Sequence, residues 1–252
     1  MRLLSSTQTH LGLRRSEWTI TATALALNGL LNAVQTTRAL LPVSLAACAA
    51  ASGLALKFGA TAGDQGLAPR DLRRGTLYGL AAAAPIAATA AAGLFLAPTR
   101  GLYAAERVVT ADRGRAAYET LLRIPLGTAL PEEVIFRGAL LGVLLRRRSP
   151  ASAIAISSFV FGLWHVAPAL RRINTTPALA ARTRAQKAAW VGATVGITSG
   201  AGVLFALLRY RSGSVVAPWL AHTAANVSGF AGGWLAARRQ GRETPAGSLS
   251  DW

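Results

Sequence analysis

The chain has 252 residues, 52% of them hydrophobic, with a mean hydropathy of +0.37 and a formal net charge of +17. The apolar residues come in blocks of membrane-spanning length rather than amphipathic stripes, which reads as a multi-pass membrane protein and not as a soluble domain. Arg and Lys gather in tails, connections and segment ends, where they meet anionic headgroups, so the charge points to the lipid bilayer and away from nucleic acid; the lone Cys48 excludes an intramolecular disulfide and a Cys-based metal cluster.

Taken in order, residues 1–16 are polar and basic and read as a tail. Residues 17–98 hold three apolar spans. The first, Trp18 to Val34, reads as an uncleaved anchor and carries Asn28 and Asn32 on one helical face. The second runs from Ala39 to Leu56, and a charged, glycine-containing connection follows. The third, Gly75 to Pro98, opens with Gly75 and Gly79, a pair suited to close helix contact. Residues 99–117 mix charged and apolar side chains and read as an interfacial connection.

Residues 118–237 hold four further spans. The fourth, Tyr118 to Leu145, contains Pro125 and Pro131, which are expected to bend or split it. It ends on Arg146, Arg147 and Arg148, read as a headgroup anchor. The fifth runs from Ala151 to Leu170. The sixth, Ala188 to Tyr210, carries Gly192, Gly196 and Gly200 at four-residue spacing, a small-residue seam for tight packing. The seventh runs from Ser214 to Ala237, and residues 238–252 form a polar tail expected to lack fixed structure. The expected fold is therefore an all-α polytopic membrane helix bundle of about seven transmembrane spans. Its location is the cell membrane, and the Arg- and Ala-rich composition reads as bacterial.

Only ten residues are acidic, and two of them, Glu132 and Glu133, lie with Arg137 inside the fourth span. A carboxylate away from water is costly unless it is paired or has a task. On a helix Glu133 and Arg137 share a face and can pair, whereas Glu132 points about 100° away and needs another partner. Two of the three histidines, His165 and His222, also lie in apolar spans. Phe161 stands one turn before His165, placed to wall its imidazole, and Asn226 stands one turn after His222 on the same face.

A carboxylate beside an imidazole can take a proton from water and pass it to a leaving amine. An imidazole N–H and an Asn amide on one face can stabilise an oxyanion. Such a set would hydrolyse a peptide bond without a covalent intermediate. There is no Gly-x-Ser-x-Gly elbow to supply a nucleophile. Zinc held by Glu132, His165 and His222 is the chemical alternative, since two His and one Glu form a known catalytic ligand set. A proton-coupled carrier would use the same groups as a relay, but the inverted repeat of such carriers is not apparent.

Glu132-Glu133-x-x-x-Arg137, Phe161-x-x-x-His165 and His222-x-x-x-Asn226, in this order and each in its own span, resemble the three-motif signature of the CPBP family. This family includes the CAAX prenyl endopeptidases and the bacterial Abi proteins. The resemblance covers residues 118–237 and implies an intramembrane endopeptidase acting on a membrane-associated protein or peptide. It implies Glu132 as general base with His165 activating water, and His222 with Asn226 as the oxyanion hole. It also implies Glu133 paired with Arg137 to hold the motif's helix, and no required cofactor. A non-catalytic member of the same fold, acting as a bacteriocin-immunity or membrane scaffold protein, is the alternative.

Overall fold

The computed structural model describes residues 3–35, 37–95 and 111–243, and the regular structure among them is entirely helical. Helix α1 (Leu3–Val34) begins well inside the stretch expected to be a tail. Helices α2 (Leu40–Lys57) and α3 (Leu72–Phe95) follow, joined by a compact turn. Most of the expected interfacial connection lies outside the described residues. The next rod, α4, runs through residues 113–145 without a break. Helices α5 (Pro150–Trp164), α6 (Val166–Thr175) and α7 (Pro177–Ala180) lead to α8 (Arg184–Ser212) and α9 (Val216–Glu243). Helix α9 carries the chain to Glu243, past the point where the C-terminal tail was expected to start; residues 244–252 lie outside the description.

Rod α4 is the axis of the bundle. Every residue from Pro131 to Leu144 is buried, and α1, α2, α5, α8 and α9 all pack against it. Its two prolines do not split it. Instead it widens into π-helix over Glu119–Ala129 and again over Val134–Leu140. Pro125 has no N–H to give, and its own carbonyl accepts from Leu130 N, five residues on, and from Trp219 Nε1 at 2.9 Å. Pro131 also lacks an N–H, and the Gly127 carbonyl four residues back accepts instead from Ser44 Oγ of α2 at 3.1 Å.

Small residues set the close approaches. A Cβ on Gly79 would stand 2.9 Å from Leu220 and 3.0 Å from the Ala217 carbonyl, and one on Gly75 would strike Ser214, so the glycine pair lets α3 lie directly on α9. The seam on α8 behaves otherwise. Gly192, Gly196 and Gly200 have nothing within reach of an added Cβ, so they face outward rather than packing inside the chain.

Four helical stretches among the described residues are long and apolar enough to cross a membrane: Leu40–Lys57, Pro69–Gly93, Pro150–Thr175 and Arg184–Ser212. Of the seven expected spans, α1, α4 and α9 are the ones that do not meet that measure, and α4 and α9 carry the polar side chains of the interior. The distribution of polarity is inverted relative to a soluble protein. Glu133 and Arg137 are fully buried, while Trp18 and Ile197 are each 74% exposed on the outside.

The basic run after α4 also makes contacts within the chain. Arg146 pairs with Asp64 at 2.9 Å, Arg147 donates to Ser16 and to the Phe58 carbonyl, and Arg148 forks onto Glu17. Together they bind the end of α4 to α1 and to the turn after α2.

Candidate active site

The central rod delivers three charged groups to the interior. Arg137 Nη1 donates to Glu133 Oε1 at 3.1 Å, one helical turn away, and Nη2 donates to the Gly202 carbonyl of α8 at 3.3 Å. Its guanidinium lies 4.0 Å over the Phe161 ring, with Phe205 and Phe136 close by. Both charges of the pair are fully buried, so each depends on the other for compensation.

Helix α9 brings His222 into the same cluster. Its Nδ1 stands 2.8 Å from Glu133 Oε1, so a single carboxylate oxygen receives both the guanidinium and the imidazole. Oε1 already accepts from Arg137, and an acceptor shared in this way assigns the proton to Nδ1. The opposite nitrogen, Nε2, faces Glu132 Oε2 at 3.8 Å. Phe205 stacks on the ring at 4.9 Å and Phe161 meets it edge-on, which fixes the ring plane.

Glu132 is 8% exposed, and its Oε2 makes no hydrogen bond with the described residues. A buried acceptor left without a donor costs about 1–3 kcal/mol, so this atom is held in a state that the fold itself does not relieve. Oε2 of Glu133 also lacks a donor, but that carboxylate is paired through Oε1 with Arg137 and His222, whereas Glu132 makes no hydrogen bond among the described residues.

His165 occupies an interruption between α5 and α6, not the middle of a continuous helix. Its backbone N–H turns to Gly162, three residues back, which releases the carbonyl of Phe161. The imidazole Nδ1 takes that carbonyl at 2.8 Å. A carbonyl only accepts, so Nδ1 is protonated and Nε2 is left free to accept. Phe161 packs on this ring at 4.8 Å, which is the wall expected from their spacing. No ion pair joins His165 to Glu132 among the described residues. Asn226 is half-buried one turn beyond His222, and its amide makes no hydrogen bond with the described residues.

The structure therefore joins Glu132, Glu133, Arg137 and His222 directly, with Phe161 bridging His222 and His165. The sharing of Glu133 between Arg137 and His222 was not expected from spacing, which offered Glu133 only its own helix. Phe205 and the Gly202 carbonyl are further parts of the site that sequence reading passed over. Neither carries a motif, because one acts through its ring face and the other through its backbone. Among the described residues no three His, Cys, Asp or Glu side chains form a group that could hold a metal ion.

No curated protein and no solved structure matched the chain in comparison. Residues 116–228 match the family model described as type II CAAX prenyl endopeptidase Rce1-like. That stretch covers all three motifs, from α4 to α9. The part of the chain that builds the buried carboxylate–imidazole cluster is thus the part that is similar to the Rce1-like family, in keeping with the CPBP resemblance of its motifs.

Proposed function

We propose that the protein is an intramembrane endopeptidase that hydrolyses a peptide bond of a membrane-associated protein or peptide. The observation that carries this reading is the unpartnered Oε2 of Glu132, buried 3.8 Å from an imidazole within the stretch similar to the Rce1-like family. In this reading Glu132 takes a proton from water while Nε2 of His165 orients that water. The water oxygen attacks the scissile carbonyl carbon, the C–N bond breaks, and Glu132 passes the proton to the leaving amine.

His222 and Asn226 stabilise the oxyanion. Because Nδ1 of His222 already donates to Glu133, donation from Nε2 requires the ring to carry a proton on both nitrogens. Glu133 at 2.8 Å and Glu132 at 3.8 Å compensate that charge, and Arg137 keeps Glu133 in place to do so. Phe161 shapes the pocket between the two imidazoles. The reading uses no metal, with zinc on Glu132, His165 and His222 as the alternative. It has the chain crossing the cell membrane seven times, with α4 enclosed by the other helices.

The test is cleavage of membrane-derived peptides, read by mass spectrometry, by the detergent-purified wild type, Glu132→Ala and His165→Ala, each with and without chelator. Cleavage by wild type alone, indifferent to chelator, is the expected result. Cleavage abolished by chelator and restored by zinc would make the histidines ligands. Equal cleavage by wild type and Glu132→Ala would remove Glu132 as the base.

A further inference from the structure

We infer that Asn28 of α1 and Pro168 of α6 together form a positioning device for His165; this rests on His165 belonging to the site proposed above. In a continuous helix the carbonyl of Trp164 would accept from the N–H of residue 168. That residue is proline, which has no N–H and whose ring crowds the carbonyl four residues back. The helix breaks at His165, one residue after the crowded carbonyl.

The Trp164 carbonyl is left without a donor from its own helix, in a part of the molecule where an unmet backbone group is expensive. Asn28 meets it: Nδ2 donates to Trp164 O at 2.6 Å, from a side chain only 6% exposed.

The direction of the Asn28 amide is set by a relay. Arg171 of α6 can only donate, and its Nη2 lies 3.1 Å from Asn32 Oδ1, which turns the Asn32 amide nitrogen the other way. That nitrogen donates to Asn28 Oδ1 at 2.5 Å, leaving Asn28 Nδ2 for Trp164. The relay starts after the break, at Arg171, passes along one face of α1, and ends before the break, at Trp164. Helix α1 thus splints the interruption from outside.

The splint reaches the chemistry through the imidazole. Because the break diverts the His165 N–H to Gly162, the Phe161 carbonyl is free to receive Nδ1 of His165. Closing the break would return that carbonyl to the backbone and leave the ring without its anchor, so that neither the tautomer nor the direction of Nε2 would be fixed. Asn28 and Pro168 act through His165 and touch no substrate.

The experiment uses full-length, 15N-histidine-labelled protein in detergent, with the His165 signals assigned by their loss in His165→Ala. Asn28→Leu removes the donor at similar size. Pro168→Ala supplies the missing N–H and invites the helix to close. In both variants the His165 ring nitrogens should leave the pattern of a single Nδ1-protonated tautomer while those of His222 stay in place. For whichever peptide the wild type cleaves, kcat should fall about 100-fold with KM nearly unchanged, as expected for a misplaced catalytic group. Pro168→Ala should melt no lower than wild type, which separates misplacement of His165 from unfolding.

Wild-type His165 signals in Pro168→Ala, or a lower melting point for Asn28→Leu with kcat per folded molecule unchanged, would overturn the inference. The nitrogen signals need no substrate. Signals that move as expected in a protein that cleaves nothing would uphold the positioning device and count against the peptidase reading alone.

Discussion

Replacing Arg137 by methionine probes the buried pair most severely. The side chain keeps its bulk but loses the guanidinium that donates to Glu133 at 3.1 Å and to the Gly202 carbonyl at 3.3 Å and that lies 4.0 Å over Phe161. Glu133, with no exposure of its own, would then be a buried carboxylate facing only His222. Removing one partner of a buried pair costs about 3–5 kcal/mol, because the other charge is stranded. For a chain of this length that corresponds to a fall of roughly 6–20 °C in the melting midpoint measured in detergent. The double variant E133L/R137M leaves neither charge of the pair stranded and should recover most of the loss, since a well-packed apolar pair can replace a buried ion pair at little cost. It should nonetheless stay inactive, because Nδ1 of His222 loses its acceptor. An R137M variant that melts with the wild type, or a double variant as unstable as the single one, would show that the pair is not interdependent.

Three further outcomes are expected. Gly79→Leu should force α3 off α9, destabilising the fold by about 1–3 kcal/mol of overpacking with a lower melting point, and should weaken cleavage because α9 carries His222. Gly196→Ala, on a surface with open space around it, should keep wild-type activity and gain up to about 1 kcal/mol of helix propensity. A melting point that drops in Gly196→Ala would mean that the α8 seam packs against something after all. Asp64 supplies the pH test. Burial pushes its carboxyl up, but the Thr61 N–H and hydroxyl and then Arg146 outweigh it and hold it below its ordinary value. With the folded-state value lowered, the stabilisation is present above the ordinary aspartate value and is lost as pH falls from there through the lowered one. Asp64→Asn should therefore melt slightly lower than wild type at pH 7, by no more than about 1 kcal/mol for so exposed a pair, and the gap should close in acid. A gap that widens in acid would contradict the assignment.

The sequence carried the fold class because long apolar blocks and charges confined to their ends leave few alternatives to a helical bundle. It carried the Glu133–Arg137 pair and the Phe161–His165 contact because both are separated by one helical turn. It also carried the Gly75 and Gly79 contact, though not the partner, Leu220 on α9. What it did not carry depends on competition between helices. Pro125 and Pro131 suggested a bent or divided span, yet the rod absorbs them by widening into π-turns, an outcome fixed by the packing around it. Pro168 lay in plain view after His165, but its effect on the Trp164 carbonyl matters only because Asn28 arrives from a distant helix. The glycine seam of α8 has the spacing of a contact face, and spacing alone does not say whether a neighbour is present. His222 was expected beside Asn226 and proved to be tied to Glu133, a link between residues 89 positions apart that no local pattern encodes.

The central claim is that Glu132 is the base, and Glu132→Gln tests it with the least disturbance. The substitution keeps the shape of the side chain, and Oε2 has no hydrogen bond to lose. Peptide cleavage by this variant, measured against wild type at matched folded concentration, should fall by at least about 100-fold while the melting midpoint stays within a degree or two. Cleavage at the wild-type rate would contradict the account.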